Sequence, residues 1–410
     1  MADRWLVVAP HPDDESLGAG GLMAKARDQG DEVFVAFVTC GDGFVEDATR
    51  YYLSLDVTPS EYLHMGYERQ TESKHALAQL GVSEDHIYFL GFPDGGIDAL
   101  WLTHWSGESF TSRTTQFNHV PYLTAWQPDV PYLGEQLWLT LKALYQEVRP
   151  SVVAMPSSFD THPDHWGTNA FATLAWAQLA HHDDQWRAVR RWGYLVHWPT
   201  WPLPLSYRPH MPQEAPRSLL HLGQEPWQAE RISARQVEQK RQALLAHGSQ
   251  TELIKPFMLA FCRSTEVFAH EDRWPKDEPR RDALRVLNPG VRTISRVLRR
   301  GNPLGGVRWG RKADRDFAEV QVLAGTPADS ELEVGLTIVG DSVRHIHWLT
   351  SSPFKPPEVR ISRQPGTVLM TWPKEWIGSA HWVMAGVRIF SRGKCEGKIP
   401  FRLIPWPTGR

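Results

Sequence analysis

One histidine and two aspartates, His11, Asp13 and Asp14, lie within the short stretch Ala9–Glu15 near the start of the chain. Imidazole nitrogen and carboxylate oxygen are ordinary zinc ligands, and a catalytic zinc ion keeps three protein ligands and one water. His11 and Asp14 are three residues apart, so both can point to one side of a tight turn or first helical turn. Asp13 then points elsewhere and is free to act as a base on water. The same acidic residues could instead cap a helix and favour its dipole.

A second group of the same residue types occupies Asp160–His165. Within it, His162–His165 repeats the order His-Pro-Asp and ends in a second histidine. His162, Asp164 and His165 can supply a third metal ligand, a second imidazole for catalysis and a carboxylate that orients one ring. The two groups together favour a metal-assisted site over a simple helix cap.

Each group follows an apolar run that reads as a buried strand, Trp5–Ala9 in the first case and Pro150–Pro156 in the second. Ser16–Arg27 has apolar residues at helical spacing, and further buried strands are expected at Glu32–Val38 and His86–Leu90. This alternation predicts right-handed βαβ units and an α/β fold, with a Rossmann-like, mainly parallel sheet and flanking helices. Ligands bind at the carboxyl ends of strands in such sheets, where both groups lie.

The sequence resembles the LmbE-like, or PIG-L, family of zinc-dependent N-acetylglucosaminyl deacetylases. The resemblance rests on two signatures, His11–Glu15 and His162–His165, and on further motifs in the same order over residues 1–270. These further motifs are Val38–Gly43, Arg69 with Glu72, Phe89–Gly95, Lys240 with Ala243–Leu244, and His247–Gln250. For Arg69, the residues alone also allow a surface salt bridge with Glu72.

The resemblance implies a metal-dependent hydrolase that removes the N-acetyl group from an N-acetylglucosamine-type glycoconjugate. The implied site residues are the zinc ligands His11, Asp14 and His165, the general base Asp13, the electrostatic or acid partner His162, the carboxylate Asp164 that sets its charge, and the sugar-pocket residues Arg69 and Asp94. Zinc would polarise the amide carbonyl, a carboxylate would take a proton from water, and a protonated imidazole would stabilise the oxyanion. Fe(II), cobalt or manganese also suits such ligands.

Two other functions remain open. One is an amide hydrolase that acts on a non-acetyl conjugate in thiol, antibiotic or cofactor metabolism. The other is a metal-containing carbohydrate-binding protein without turnover, which the 19 tryptophans could serve, although tryptophan also fills protein cores. Asp13 and His162 argue against the second alternative, because binding alone needs neither a base nor an acid.

Composition limits the compartment and the partners. The net charge of −3 gives no general attraction to nucleic acid or to anionic membranes. The three cysteines are far apart and odd in number, which favours a reducing compartment over a disulfide framework. The sequence has no apolar signal region and no run of membrane-spanning length. We therefore expect a cytoplasmic protein whose partner is a small glycoconjugate, whereas the oligomeric state is not readable.

The length of 410 residues favours more than one domain. We expect a deacetylase domain at 1–270, an Arg-rich linker at 271–315 with a short helix around Val291–Val297, and a β-sandwich-like accessory domain at 316–410. The linker arginines could meet an anionic partner or form a solvated connector. The family core lacks the third segment, so the resemblance says nothing of its role.

Overall fold

The computed structural model describes residues 2–45, 48–49, 52, 56–199, 201–222, 226–271, 283–287, 303–324, 326–327, 329–351, 355–380 and 382–406. The chain divides into two compact units. One comprises residues 1–176, 185–215 and 227–272, and the other comprises 177–184, 216–226 and 273–410. The helix predicted around Val291–Val297 lies outside the described residues, as do the linker arginines Arg280, Arg281, Arg299 and Arg300.

A seven-stranded sheet, counted over the described residues, forms the centre of the first unit. Its strand order is β3-β2-β1-β4-β5-β7-β6; the first five strands pair in parallel, and β7 pairs antiparallel with both β5 and β6. The strands are β1 Arg4–Ala9, β2 Glu32–Thr39, β3 Ile87–Phe92, β4 Val152–Pro156, β5 Arg190–Tyr194, β6 Trp227–Arg231 and β7 Thr265–His270. The predicted mainly parallel sheet is confirmed, and its apolar strands are buried because both faces are covered.

Helices flank this sheet, and their ends follow local signals. The described helices are α1 Asp14–Asp28, α2 Pro59–Gln79, α3 Ile97–Leu102, α4 Gly134–Val148, α5 Pro163–His182, α6 Arg217–Leu222, α7 Ala234–Ala246 and α8 Gly248–Leu259. Of these, α6 and the end of α5 belong to the second unit. A capping box begins α2 at Thr58 and another begins α7 at Ser233. Helix α1 packs closely on β5, because a Cβ on Gly18 would lie 2.2 Å from the Tyr194 ring. None of the described helices is long and apolar enough to cross a membrane.

The second unit contains two antiparallel sheets, with the orders β13-β14-β10-β9-β8 and β12-β11-β15-β16. Its strands are β8 Ala283–Leu287, β9 Leu304–Lys312, β10 Arg315–Val322, β11 Glu331–Val339, β12 Val343–Leu349, β13 Arg360–Gln364, β14 Thr367–Pro373, β15 Trp382–Ser391 and β16 Lys394–Pro405. Residues of both sheets, such as Trp309 and Leu336, share one apolar core. The predicted C-terminal β structure is thus confirmed, with the two-sheet packing of a sandwich.

Two strands, β8 and β9, lie within residues 271–315, which the sequence analysis assigns to a linker. Val307 and Trp309 in β9 point into the core, whereas Arg308 between them is exposed and pairs with Glu319 of β10. Arg311 pairs likewise with buried Asp316. Arg308 and Arg311 therefore belong to a regular strand. Their charges obscured the alternation of apolar and polar residues by which the strand could have been predicted. The boundaries 1–270, 271–315 and 316–410 stay predictions.

Candidate active site

The candidate site lies where the parallel strands of the first unit end. His11 follows β1, Asp94 follows β3, His165 follows β4 at the start of α5, and His197 follows β5. Because these strands are parallel, their carboxyl ends lie at one edge of the sheet. The chain thus brings together side chains that are as many as 186 residues apart, which is the numbering difference between His11 and His197.

The three predicted metal ligands meet at one oxygen atom. Oδ2 of Asp14 lies 2.9 Å from Nδ1 of His11 and 3.1 Å from Nε2 of His165. Nδ1 of His165 lies 3.2 Å from Oδ2 of Asp160, yet neither nitrogen of this buried ring makes a hydrogen bond of normal geometry. Ring nitrogens that face carboxylates in this way suit a divalent cation, and the imidazole and carboxylate donors fit zinc or Fe(II).

Other donor combinations at the same edge are also close enough to hold an ion. In each of three sets, one donor atom from every residue lies within 4.8 Å of the others. The sets are His11, His162 and His165; Asp14, His165 and His197; and His11, Asp94 and Asp164. His165 and His11 recur in these sets, so they are the common donors of the cluster.

Charge pairing dominates the electrostatics of these donors. Burial alone would lower the pKa of His165, but Asp14 and Asp160 raise it to about 9. Burial opposes ionisation of Asp14 as well, yet His165 and His11 hold the pKa of that carboxyl well below its usual range. The carboxylates thus hold protons on the neighbouring rings, and a metal ion that binds there would displace those protons.

Asp13 lies beside this cluster in an unusual backbone conformation, with φ 122° and ψ −30°. Its carboxylate is buried, and Nη2 of Arg69 lies 3.7 Å from its Oδ2. Burial, together with the negative charge of Asp14, raises the pKa of Asp13 to about 7. A carboxyl group with a pKa near neutrality can both accept and donate a proton, as a general base requires.

Arg69 is a buried clamp rather than a surface residue, with only 3% of its area exposed. Its Nη1 donates to the carbonyl of Gly41 at 2.7 Å and its Nη2 donates to that of Pro12 at 2.6 Å. Gly41 has a φ of +73°, and a Cβ there would lie 2.2 Å from Nη1. The salt bridge with Glu72 that the sequence allowed is absent from the described contacts, since Glu72 accepts from the main chain and hydroxyl of Ser249. The sugar-pocket role of Arg69 stays a prediction.

Asp164 contacts a different histidine from the one expected. Its Oδ2 lies 3.0 Å from Nε2 of His11 and accepts the N–H of Gly95 at 2.7 Å, while its Oδ1 accepts the N–H of Ile97. The main-chain N–H of Asp164 reaches His162, at Nδ1 over 3.3 Å, and the charge of the carboxylate acts to raise the pKa of that ring. The carboxylate therefore orients His11 and the loop after β3, and its predicted role in setting the charge of His162 stays a prediction.

His162 lies among three other imidazoles, with ring centroids 5.0 Å from His11 and 5.1 Å from His165. Burial and these two neighbouring rings lower the pKa of His162 to about 3. Since Nδ1 accepts a hydrogen bond from the main chain, the hydrogen of the neutral ring lies on Nε2. The predicted role of His162 as an electrostatic or acid partner stays a prediction.

Asp94 lies at the cluster, against His11. Its Oδ1 lies 3.2 Å from Nε2 of His11, and its Oδ2 accepts the N–H of Gly43 at 2.7 Å. His11 and Arg69 keep the pKa of this buried carboxyl below its ordinary value, although burial alone would raise it. Its predicted contact with a sugar stays a prediction.

Sequence reasoning missed His197, whose ring centroid is 4.6 Å from that of His165. Its main-chain N–H, like that of Val196, donates to Oδ2 of Asp160 at 3.0 Å. Burial and neighbouring His165 lower the pKa of His197 to about 4. The available signal was its position just after a strand, because any residue after a parallel strand of this sheet reaches the same edge.

A known protein family matches the N-terminal part of the chain. Residues 6–176 match the family model described as PIG-L, GlcNAc-PI de-N-acetylase. The N-terminal part of this chain thus matches a PIG-L (LmbE-like) family domain, and the chain has an additional C-terminal β region.

Two curated relatives each match about two fifths of the chain. It is 32% identical over 182 residues to 1D-myo-inositol 2-acetamido-2-deoxy-alpha-D-glucopyranoside deacetylase of Nocardioides sp., a match that spans 43% of this chain and 55% of the relative. It is 28% identical over 172 residues to the probable N-acetyl-alpha-D-glucosaminyl L-malate deacetylase 2 of Bacillus cereus, across 42% and 58% of the two chains. The chain therefore spans little more than half the length of these relatives.

A solved structure also matches, that of N,N'-diacetylchitobiose deacetylase from Pyrococcus horikoshii. The identity is 20% and the TM-score is 0.40, over 65% of this chain and 83% of the other.

Proposed function

We propose that the protein is a metal-dependent N-deacetylase that hydrolyses the acetamide of an N-acetylglucosamine-type conjugate. The observation that carries the proposal is the convergence of His11 and His165 on Asp14, with buried Asp13 beside them. The names of the two relatives support the substrate class, since both describe deacetylases of glucosaminyl conjugates.

We propose zinc as the metal and His11, Asp14 and His165 as the residues that hold it. When bound, a divalent ion would polarise the amide carbonyl and lower the pKa of water. Fe(II) remains an alternative, because the same donors suit it.

Asp13 would carry the proton through the reaction. It would take one proton from the attacking water as that water adds to the carbonyl carbon, and would return it to the leaving nitrogen as the C–N bond breaks. The products are acetate and the free amine. A pKa of about 7 suits both transfers, since the same group must accept and then donate.

His162 would stabilise the oxyanion that develops on the carbonyl oxygen. Its neutral ring carries hydrogen on Nε2, which can donate a hydrogen bond without a prior protonation step. Asp164 and Asp94 would orient His11, and Arg69 would fix the loop that bears Asp13. These residues would thus act through positioning, whereas Asp13 and His162 touch the reacting atoms.

The first experiment measures acetate release from a panel of N-acetylglucosaminides by the zinc-loaded protein and by the variant Asp13→Ala. We expect the variant to lose roughly 100- to 10,000-fold in kcat while it retains its metal, measured by plasma mass spectrometry. Asp31→Asn is the matched control, because this buried carboxylate binds Asp3 and Trp5 near the opposite ends of the strands. Absence of release by the metal-loaded parent protein would contradict the proposal.

A second candidate is an amide hydrolase for a larger acyl group, and one observation favours it. The ring of Phe257 lies parallel to His197 with centroids 6.2 Å apart, and it packs against Phe261, which contacts Trp201. Phe257 and Trp201 are partly exposed, so an apolar wall continues from the histidine cluster. A panel with acetyl, butyryl and octanoyl amides separates the two candidates by their kcat/KM.

A further inference from the structure

We infer that Glu15 is a positioning residue, which holds Asp13 in its unusual conformation, and that His247 supports Glu15 in turn. The inference rests on the proposed function, since it assigns Asp13 the role of base. Glu15 and His247 both lie outside the set of residues expected to touch metal or substrate.

The main chain at Asp13 is held far from the regions that most residues adopt. The other described non-glycine residues with positive φ have values between 49° and 62°, within the left-handed helical region. Asp13, with a φ of 122°, lies outside that region as well. Such a conformation persists only where the surroundings enforce it, and it occurs mainly at functional sites.

Several contacts enforce it. The N–H of Asp13 donates to Oε2 of Glu15 at 3.0 Å, and the carbonyl of Asp13 accepts the N–H of Leu17 at 2.8 Å. The preceding carbonyl, that of Pro12, accepts from Nη2 of Arg69. Among the described contacts, Glu15 provides the side-chain acceptor for the N–H of Asp13, and this bond sets the direction in which the Asp13 side chain leaves the main chain.

Glu15 is itself fixed on its other oxygen. Oε1 accepts the hydroxyl hydrogen of Ser16 at 2.6 Å and lies 3.3 Å from Nε2 of His247, which comes from the junction of α7 and α8. Glu15 and His247 are both fully buried. A carboxylate so placed cannot serve as an exposed helix cap, the role that an acidic helix start suggests. It links Asp13 to the distant junction at His247.

The experiment compares Glu15→Ala with Glu15→Gln in the zinc-loaded protein. We expect Glu15→Ala to lower kcat roughly 100-fold, because a small displacement of the base is enough for such a loss, with KM and zinc affinity within about threefold of the parent protein. Glu15→Gln keeps an oxygen that can accept the N–H of Asp13, so kcat should stay within about tenfold. Asp31→Asn, which removes another buried carboxylate, is the control and should leave kcat unchanged.

A double variant tests whether Glu15 acts through Asp13. In the background Asp13→Ala, the further change Glu15→Ala should alter the residual rate less than about twofold, since nothing remains to be positioned. An equal loss in both backgrounds, or a kcat within fivefold of the parent protein in the single variant, overturns the inference. His247→Asn, expected to lower kcat roughly tenfold, serves if Glu15→Ala does not fold, and an unchanged kcat there also contradicts the inference.

Crystal structures separate this inference from the proposed function. If the parent protein releases no acetate, the proposed function fails, yet the conformation of Asp13 can still be measured. We expect Glu15→Ala to move Asp13 to a negative φ or into the left-handed helical region. A φ that stays near 122° without the Glu15 carboxylate would overturn the positioning role whatever the activity.

Discussion

Charged side chains are buried in both units of the chain, but in different arrangements. In the C-terminal sandwich, buried Asp316 and Glu333 each pair with an arginine on the adjacent strand. The partner of Asp316 is Arg311, and the partner of Glu333 is Arg388. Around them, a continuous apolar core is shared by the two sheets. Here each buried carboxylate pairs with one arginine, and the packing of apolar groups holds the unit together.

In the α/β unit, buried charges form a connected network that reaches the candidate site. Lys240 is fully buried, and its Nζ donates to Oε1 of Glu266 at 2.6 Å and to the carbonyl of Leu17 at 2.8 Å. Glu266 also accepts the N–H groups of Gly21 and Leu22. The pair thus binds main-chain groups of α1, the helix that begins beside Asp13. The buried charges of this unit thus fix the position of α1. They do so at a cost in lost hydration of the charged groups, which the sandwich largely avoids.

The largest effect is expected from Lys240→Met. This change leaves Glu266 buried without its cation, and loss of one partner of a buried pair costs about 3–5 kcal/mol of unfolding free energy. The measurement is hydrogen exchange of the α1 amides. Arg241→Met on the same helix is the control, because its pair with Glu238 is exposed and should contribute less than about 0.5 kcal/mol. Equal costs for the two variants would remove the distinction between network and surface pair.

A matching change in the sandwich is Leu336→Ala. Leu336 is fully buried in the shared core, so its truncation should cost about 3 kcal/mol through lost burial and a cavity. Leu369, an exposed leucine of the same unit, provides the control, and Leu369→Ala should cost less than about 1 kcal/mol. Hydrogen exchange of the β11 amides measures both. A cost below that of the control would show that the apolar core is not what stabilises this unit.

The sequence predicted those parts of the molecule that depend on local spacing. His11 with Asp14 and His162 with His165 are each three residues apart, and both groups follow apolar strands. Residue type, spacing and position after a strand were therefore enough to predict that the two groups lie close together. The parallel sheet and most strands of the sandwich followed from the same periodicity.

Other features depend on distant partners, and no local pattern contains them. His197 joins the cluster only because β5 lies beside β4 in the sheet, and the partner of Asp164 is set by how the loop after β3 folds over His11. The buried state of Arg69 requires two carbonyls from separate loops. Strand β9 was missed because its arginines suggested a solvated connector.

The cost of a buried charge in the α/β unit can be measured at Asp42 by varying the pH. Asp42 is a buried carboxyl group that accepts a hydrogen bond from Tyr122. Burial and the charge of Asp94 raise its pKa from 3.8 to about 7. The folded protein therefore holds a proton there between pH 4 and 7 that the unfolded chain has lost, so its unfolding free energy falls as pH rises through this window.

Asp42→Asn removes this dependence. The variant should gain on the order of 3 kcal/mol relative to the parent protein as pH rises from 4 to 7, and the gain should then level off. The measurement is urea unfolding at a series of pH values. The two proteins serve as their own control below pH 4, where both side chains are neutral. A difference that does not change with pH would mean that Asp42 is already ionised in the folded state.

The smallest effect is expected at the apolar wall beside the cluster. Phe257→Ala removes a ring that lies parallel to His197. Burial of one or two methylene groups of a substrate against that ring would be worth about 0.8–1.5 kcal/mol. We expect a rise in KM of roughly 4- to 12-fold with kcat nearly unchanged, and a larger rise for amides with longer acyl chains. Leu253→Ala, on the exposed side of the same helix, is the control. If kcat falls while KM stays constant, Phe257 holds the histidine cluster in place and does not bind the substrate.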